Sequence, residues 1–173
     1  MKKLFILSVI LFVSCETPNA GVSEVDSNTF EQNVQTIKDT WIKGFEEENF
    51  DKAISFMADS IQWTGPNGST VGIESIKQSI QYWMDTFEEM TYAEGEGLPG
   101  TNVGFWGGNT YPVSEAMSSP NNIRMYGTWS MKNSQTGKTA KTKHYVVLNF
   151  NEDGKVHTAT EYAYFGEVNA SFE

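Results

Sequence analysis

Two side chains in the last third of the chain have the types and spacing for acid–base chemistry, His144 and Glu161. They sit on two segments with strand patterning, Thr139 to Phe150 and Val156 to Phe165, joined by the turn Asn151-Glu152-Asp153-Gly154. Adjacent antiparallel strands set residues opposite one another in pairs that share a face of the sheet. With a four-residue loop and Phe150 opposite Lys155, His144 faces Glu161. With a three-residue loop and a bulge at Gly154, Tyr162 takes that place. A histidine beside a carboxylate is a candidate general base, because the carboxylate orients the ring and favours its charged form. The alternative is a cross-strand polar pair that faces solvent or lines a wet cavity.

Other chemistry is sparse. No zinc, calcium or phosphate-loop pattern appears, and two isolated histidines make no metal site, so neither a metal nor a cofactor is expected. No Gly-x-Ser-x-Gly nucleophile motif is present. The tryptophans Trp41, Trp63, Trp83 and Trp129, with Tyr162, are candidates to line an apolar ligand pocket, although a tryptophan is more often a core residue, and Trp129 is the best candidate because it lies on a sheet strand.

The elements that must position these residues follow from periodicity. Phe30, Val34, Ile37, Trp41 and Phe45 recur at steps of three and four, which predicts a helix over Thr29 to Glu48, capped by Ser27 or Asn28. A shorter helix is expected over Phe50 to Ala58, and a third over Ile73 to Glu89 behind Gly72. A short strand, Ile61 to Thr64, stops at Gly65-Pro66-Asn67-Gly68. Ile123 to Lys132, Thr139 to Phe150 and Val156 to Phe165 alternate between polar turns and predict an antiparallel meander. Between the third helix and the meander, Glu94 to Asn122 is rich in Gly and Pro yet carries Phe105, Trp106 and Tyr111. One or two short strands are expected there, the remainder forming a rim or lid over a pocket.

The N-terminus has a different character. Lys2 and Lys3 precede an apolar run from Leu4 to Val13 that is too short to span a bilayer and has signal-peptide proportions. Leu11-Phe12-Val13-Ser14-Cys15 resembles the lipobox of bacterial lipoproteins. That resemblance implies a signal over residues 1–14, cleavage before Cys15, lipid on its thiol, a tether over residues 15–28 and a domain over 29–173. Cys15 is the only cysteine, so no intramolecular disulfide competes for it. The expected location is the cell envelope, with the domain lipid-anchored outside the cytoplasm.

The motifs of the domain also carry a resemblance. The helix with Trp41 and Phe45, then Asn49-Phe50-Asp51-Lys52-Ala53, Gly72-Ile73-Glu74-Ser75-Ile76, Thr136-Gly137-Lys138, Asp153-Gly154-Lys155-Val156 and Glu161-Tyr162 resemble the SnoaL-like branch of the NTF2-like superfamily. The resemblance covers roughly Thr29 to Phe165. It implies an α+β fold, a cone-shaped barrel in which three N-terminal helices pack on a curved antiparallel sheet around an apolar pocket. It also implies an acidic residue of the last strand as acid/base, which Glu161 approximates.

Charge narrows the partners. There are 12 Lys and Arg against 22 Asp and Glu, a surface that repels phosphate backbones, so nucleic acid is not expected. The expected partners are a small apolar ligand, a membrane through the lipid, and a second copy through the outer face of the sheet. Three functions stay open: a binding domain with an apolar pocket, a small isomerase, cyclase or dehydratase using His144 and Glu161, and a dimerising interaction module.

Overall fold

A computed structural model describes residues 23–96, 98, 100, 102–110 and 117–173, with the backbone alone at 108–110 and 117–118. The signal, Cys15 and Tyr111 lie outside the described residues. Among the described residues no helix is long and apolar enough to cross a membrane.

The first helix, α1, runs over Glu24–Ile37, five residues earlier than the apolar stripe suggests. Its cap is Ser23, whose Oγ accepts from Asp26 N at 3.0 Å, so the helix takes in residues expected of the tether. It continues through a π-helical turn, Lys38–Ile42, into α2, Lys43–Glu46. Asn49 then caps α3, Phe50–Ile54, through Oδ1 and Lys52 N. The two short helices touch closely: a Cβ on Gly44 would lie 2.4 Å from Ala53 N, so only glycine fits there.

Two helix ends differ from expectation, and each is set by a distant partner. Met57 and Ala58 belong to strand β1, Met57–Thr64, because Val156 N donates to Phe56 O at 2.9 Å and draws the chain into the sheet. The third long helix, α4, covers Ile73–Thr86 and stops before Phe87. Ser134 donates to Thr86 O from both its backbone N and its Oγ, at 3.0 Å each, and Phe87 opens strand β3, Phe87–Glu94. Phe87, expected within that helix, is buried as a strand residue instead.

The remaining strands are β2 (Thr70–Val71), β4 (Phe105–Thr110), β5 (Met117–Asn133), β6 (Thr139–Phe150) and β7 (Val156–Ala163), followed by a short helix α5, Gly166–Ala170. The sheet order is β2-β1-β7-β6-β5-β3, and β4 pairs with the other half of the long strand β5. The β5–β6–β7 meander is antiparallel as expected. The sheet is not wholly antiparallel, however, and it does not close into a barrel: β1 joins β7 in parallel, and β2 and β3 end the row. Helix α1 is fixed to β5 by Asn33, whose Nδ2 donates to Pro120 O and Asn121 Oδ1, both at 3.0 Å.

The inner face of the meander carries Ile123, Met125, Val146, Leu148 and Ala159, all buried against the helices. This is an α+β fold in which three N-terminal helical segments pack on one curved, unclosed, mostly antiparallel sheet.

Candidate functional site

Between the helices and the sheet lies a cavity of about 650 Å³, a size suited to a small organic molecule. Its walls are apolar: Phe45, Met57, Ile76, Ile80, Met90 and Met131, with Trp41, Trp63, Trp83 and Trp129. Exposed lining residues mark the mouth, namely Pro66, Asn67 and Ser69 of the β1–β2 turn and Ser79 of α4. Buried ones mark the floor, namely Trp41, Trp129, Thr142 and His144.

His144 and Glu161 meet at this floor, Nε2 to Oε1 at 3.0 Å. The register that brings them together is neither of the two expected ones. Asn151 closes the hairpin turn by accepting from Asp153 N and Lys155 N on its Oδ1, and a bulge follows, with Phe150 opposite Val156 and Asn149 opposite Thr158. His144 therefore lies opposite Ala163, and Glu161 opposite Val146. Relative to the four-residue-loop register the shift is two residues. An even shift keeps both side chains on the inner face, where they meet diagonally.

Tyr162 does not join them. It lies opposite Tyr145 on the outer face, 56% exposed, so it is not a residue of this cavity. There Tyr126, Tyr145 and Tyr162 stack in a row, with centroids 4.4 and 5.5 Å apart. Burial, and the hydrogen bond with Tyr126, push the Tyr145 phenol up to about 12.

The carboxylate has a second partner that sequence reading missed. Trp63 Nε1 donates to Glu161 Oε2 at 3.0 Å. Trp63 is on β1, whose parallel register sets it beside Ala159, two residues from Glu161 on the same face. Burial alone pushes the Glu161 carboxyl up. The hydrogen bond and charge of His144, with the Trp63 N–H, outweigh burial and hold it below the ordinary glutamate range. An ionised carboxylate only accepts hydrogen bonds, so His144 Nε2 is the donor of this bond. Trp41 meets the imidazole edge-on, 5.5 Å between centroids, and stacks on Phe56 behind it. Trp41 belongs to the π-helical turn, a rare winding that often occurs at functional sites.

The described part of the expected lid does not reach the cavity. None of the described residues between Glu94 and Asn122 lines the cavity, and Trp106 is 45% exposed on β4, paired with Arg124. The reason is topological. Strand β4 adds to β5 at one edge of the sheet, while the mouth opens at the β1–β2 edge, where Gly65 to Ser69 and Phe165 form the rim. Among the described residues no three His, Cys, Asp or Glu side chains gather as a metal site would require.

A scan of protein-family models and a search of the curated proteins find no match. Solved structures do share the fold. The BvnE pinacolase of Penicillium brevicompactum is 11% identical with a TM-score of 0.60, covering 87% of this chain and 93% of its own. A Shewanella denitrificans protein that carries the description SnoaL-like polyketide cyclase is 11% identical with a TM-score of 0.55, covering 82% and 96%. An NTF2-like protein of Burkholderia thailandensis is 13% identical with a TM-score of 0.53, covering 82% and 97%. At these identities the similarity establishes the NTF2-like fold and leaves the chemistry to the site.

A depressed carboxyl pKa makes a statement about stability. A group whose folded pKa lies below its unfolded value stabilises the fold fully above the unfolded value and loses that contribution as pH falls through the folded one. For Glu161 the loss falls below the ordinary value of 4.5. Urea unfolding of wild type and Glu161→Gln should therefore differ most near neutrality, and the gap should shrink below about pH 4.5. A gap constant down to about pH 3 would show that Glu161 is not held ionised by its partners.

Proposed function

We propose that this chain binds a small, mostly apolar molecule in the cavity and catalyses a proton transfer on it, an isomerisation, cyclisation or dehydration, with the His144–Glu161 pair. One observation carries this reading: the pair lies at the floor of an otherwise apolar aromatic cavity, with both carboxylate oxygens held by named donors. A ligand that fills the cavity excludes the water that screens the carboxylate, which sharpens its interaction with any acidic hydrogen on the ligand. The flat walls of Trp41, Trp63 and Trp129 favour a planar or ring-bearing molecule. The pair can then take a proton from one ligand atom and return it to another, a role that contributes about 10²–10⁴-fold in rate.

The competing reading is binding without chemistry, in which the same pair only orients the ligand. A small-molecule library read by native mass spectrometry, followed by analysis of what the bound compounds become, separates the two. Wild type should bind and convert at least one compound. Glu161→Gln should still bind it and lose about a hundredfold or more in turnover. Recovery of every bound compound unchanged would reduce the protein to a binding domain.

We also propose that the domain works outside the cytoplasm, held by lipid on Cys15. Support comes from the apolar run ending at Ser14-Cys15. Cys15→Ser should lose metabolic lipid labelling and leave the membrane fraction; a mutant labelled like wild type would refute the anchor.

The outer sheet face supports a further proposal, self-association, because Tyr162 and Tyr164 stand 56% and 72% exposed beside the stacked tyrosines. Sedimentation velocity of the domain should show a dimer that Tyr162→Glu dissociates. A monomer at all accessible concentrations would dispose of the idea.

A further inference from the structure

The charges along the cavity are one-sided. Among the described residues no lysine or arginine lines it, and Glu161 is its one carboxylate. The only side chain there that can carry positive charge is His144, and its ring is bonded to Glu161. Exposure separates the two members of the pair, 3% for the His144 side chain and 21% for that of Glu161. With a neutral imidazole the pair carries a whole negative charge. With a protonated imidazole it is a dipole whose negative end is the more exposed. In both states the floor attracts positive charge, and apolar walls screen that attraction far less than water does. The neighbouring hydroxyl acts in the same sense. Thr142 Oγ donates to Tyr164 O at 2.7 Å, so its lone pairs are what remain for a ligand.

The walls share this preference. An aromatic ring is negative on its faces and attracts a cation within about 6 Å of its centroid, an indole most strongly. Four indoles line the cavity. Two of them stand beside the carboxylate: Trp63 Nε1 donates to Glu161 Oε2 at 3.0 Å, and Trp41 meets Trp63 at 85° with centroids 5.2 Å apart. Two perpendicular rings and a carboxylate form a corner in which every element favours a positive charge. Met57, Met90 and Met131 add polarizable thioethers, which accept and never donate. We propose that the cavity takes a lipophilic organic cation, a tertiary or quaternary ammonium ion on a ring-bearing body, with its nitrogen at the corner of Glu161, Trp41 and Trp63. Alkyl groups on the nitrogen replace the water that a bare ammonium holds tightly, which suits it to an apolar cavity. The body then lies along the remaining aromatic wall. A carboxylate or phosphate ligand meets the opposite field with no lysine or arginine to receive it. The chain as a whole, with 22 Asp and Glu against 12 Lys and Arg, draws cations toward it.

This ligand class rests on the cavity reading given above, and three probes of similar size separate the failure of one from the failure of the other. Phenyltrimethylammonium carries the charge, tert-butylbenzene has the same shape without it, and benzoate carries the opposite charge. Each is titrated into the whole domain and read by calorimetry and by tryptophan fluorescence, since four of the five tryptophans line the cavity. Phenyltrimethylammonium should bind about tenfold or more tighter than tert-butylbenzene, and benzoate should not bind. Glu161→Gln should remove most of that preference while tert-butylbenzene binds as before. Ser79→Lys, which sets a positive charge at the exposed rim, should also weaken the cation and spare the neutral probe. Equal or tighter binding of tert-butylbenzene or benzoate in wild type would overturn the cation and leave the cavity as a ligand site. No binding of any probe would overturn both. A preference for the cation unchanged in both variants would place it on the acidic surface and refute the proposal. Wild-type selectivity and Ser79→Lys decide the matter even where Glu161→Gln does not fold. Selective binding of the cation beside a failed search for turnover would leave the ligand class standing and remove only the proton-transfer reading.

Discussion

An ionised carboxylate in an apolar cavity is the constraint on which this site depends. Removing such a group from water is costly, on the order of several kcal/mol even after relaxation, unless donors meet its oxygens. Glu161 has one donor for each oxygen, His144 from β6 and Trp63 from β1. Those strands flank β7 on its two sides. The carboxylate therefore holds together three adjacent strands, and the parallel seam between β1 and β7 is what brings an indole N–H within reach.

The cavity exists because that sheet is curved and its helices do not fill the hollow. Helix α4 covers the mouth side with Ile76, Ile80 and Trp83, and the α1–α2 run covers the floor with Trp41 and Phe45. Aromatic walls meet through tilted and edge-on contacts, as Trp41 does with Trp63 at 5.2 Å and 85° and Phe45 with Trp129 at 5.5 Å and 61°. Large rings that contact one another edge-on leave gaps that aliphatic side chains would close. Inside the exposed rim of Asn67, Ser69 and Ser79, the polar groups of the cavity gather at the floor, so a bound molecule would have a defined orientation: apolar body along the tryptophans, polar atom toward Glu161.

Much of this was legible in the sequence because period-2 alternation survives errors of register. The inner face of β6 was readable from Ala140, Thr142, His144, Val146 and Leu148, and the bulge at Asn149 and Phe150 moved β7 by an even step, which left Glu161 on the same side. Tyr162 was misplaced because it entered only through an odd register. The helix ends at Ile54 and Thr86 were not legible, since Val156 and Ser134 set them from about 100 and 48 residues away, beyond any local pattern. The lid expected at Trp106 failed for the same kind of reason: glycines beside aromatic residues describe β4 as well as they describe a hinge, and only topology decides which edge it joins. Trp63 was visible as an aromatic residue of a short strand, but its N–H became meaningful only once the parallel pairing was known.

The π-helical turn shows how local structure serves the site. A single regular helix from Glu24 to Glu46 would keep a fixed phase of 3.6 residues per turn. The turn at Lys38–Ile42 winds more widely, so the residues after it are rotated relative to the stripe of Phe30, Val34 and Ile37 that packs α1 on the sheet. Trp41 and Phe45 follow the new phase and turn toward the cavity, Trp41 to the imidazole and Phe45 to Trp129. The wider winding is the poorer backbone geometry, and it is held by packing, since Trp41 and Ile42 are both buried. A helix chosen for regularity alone would have kept one face on β5. This one divides its length between anchoring the sheet and walling off the carboxylate from water.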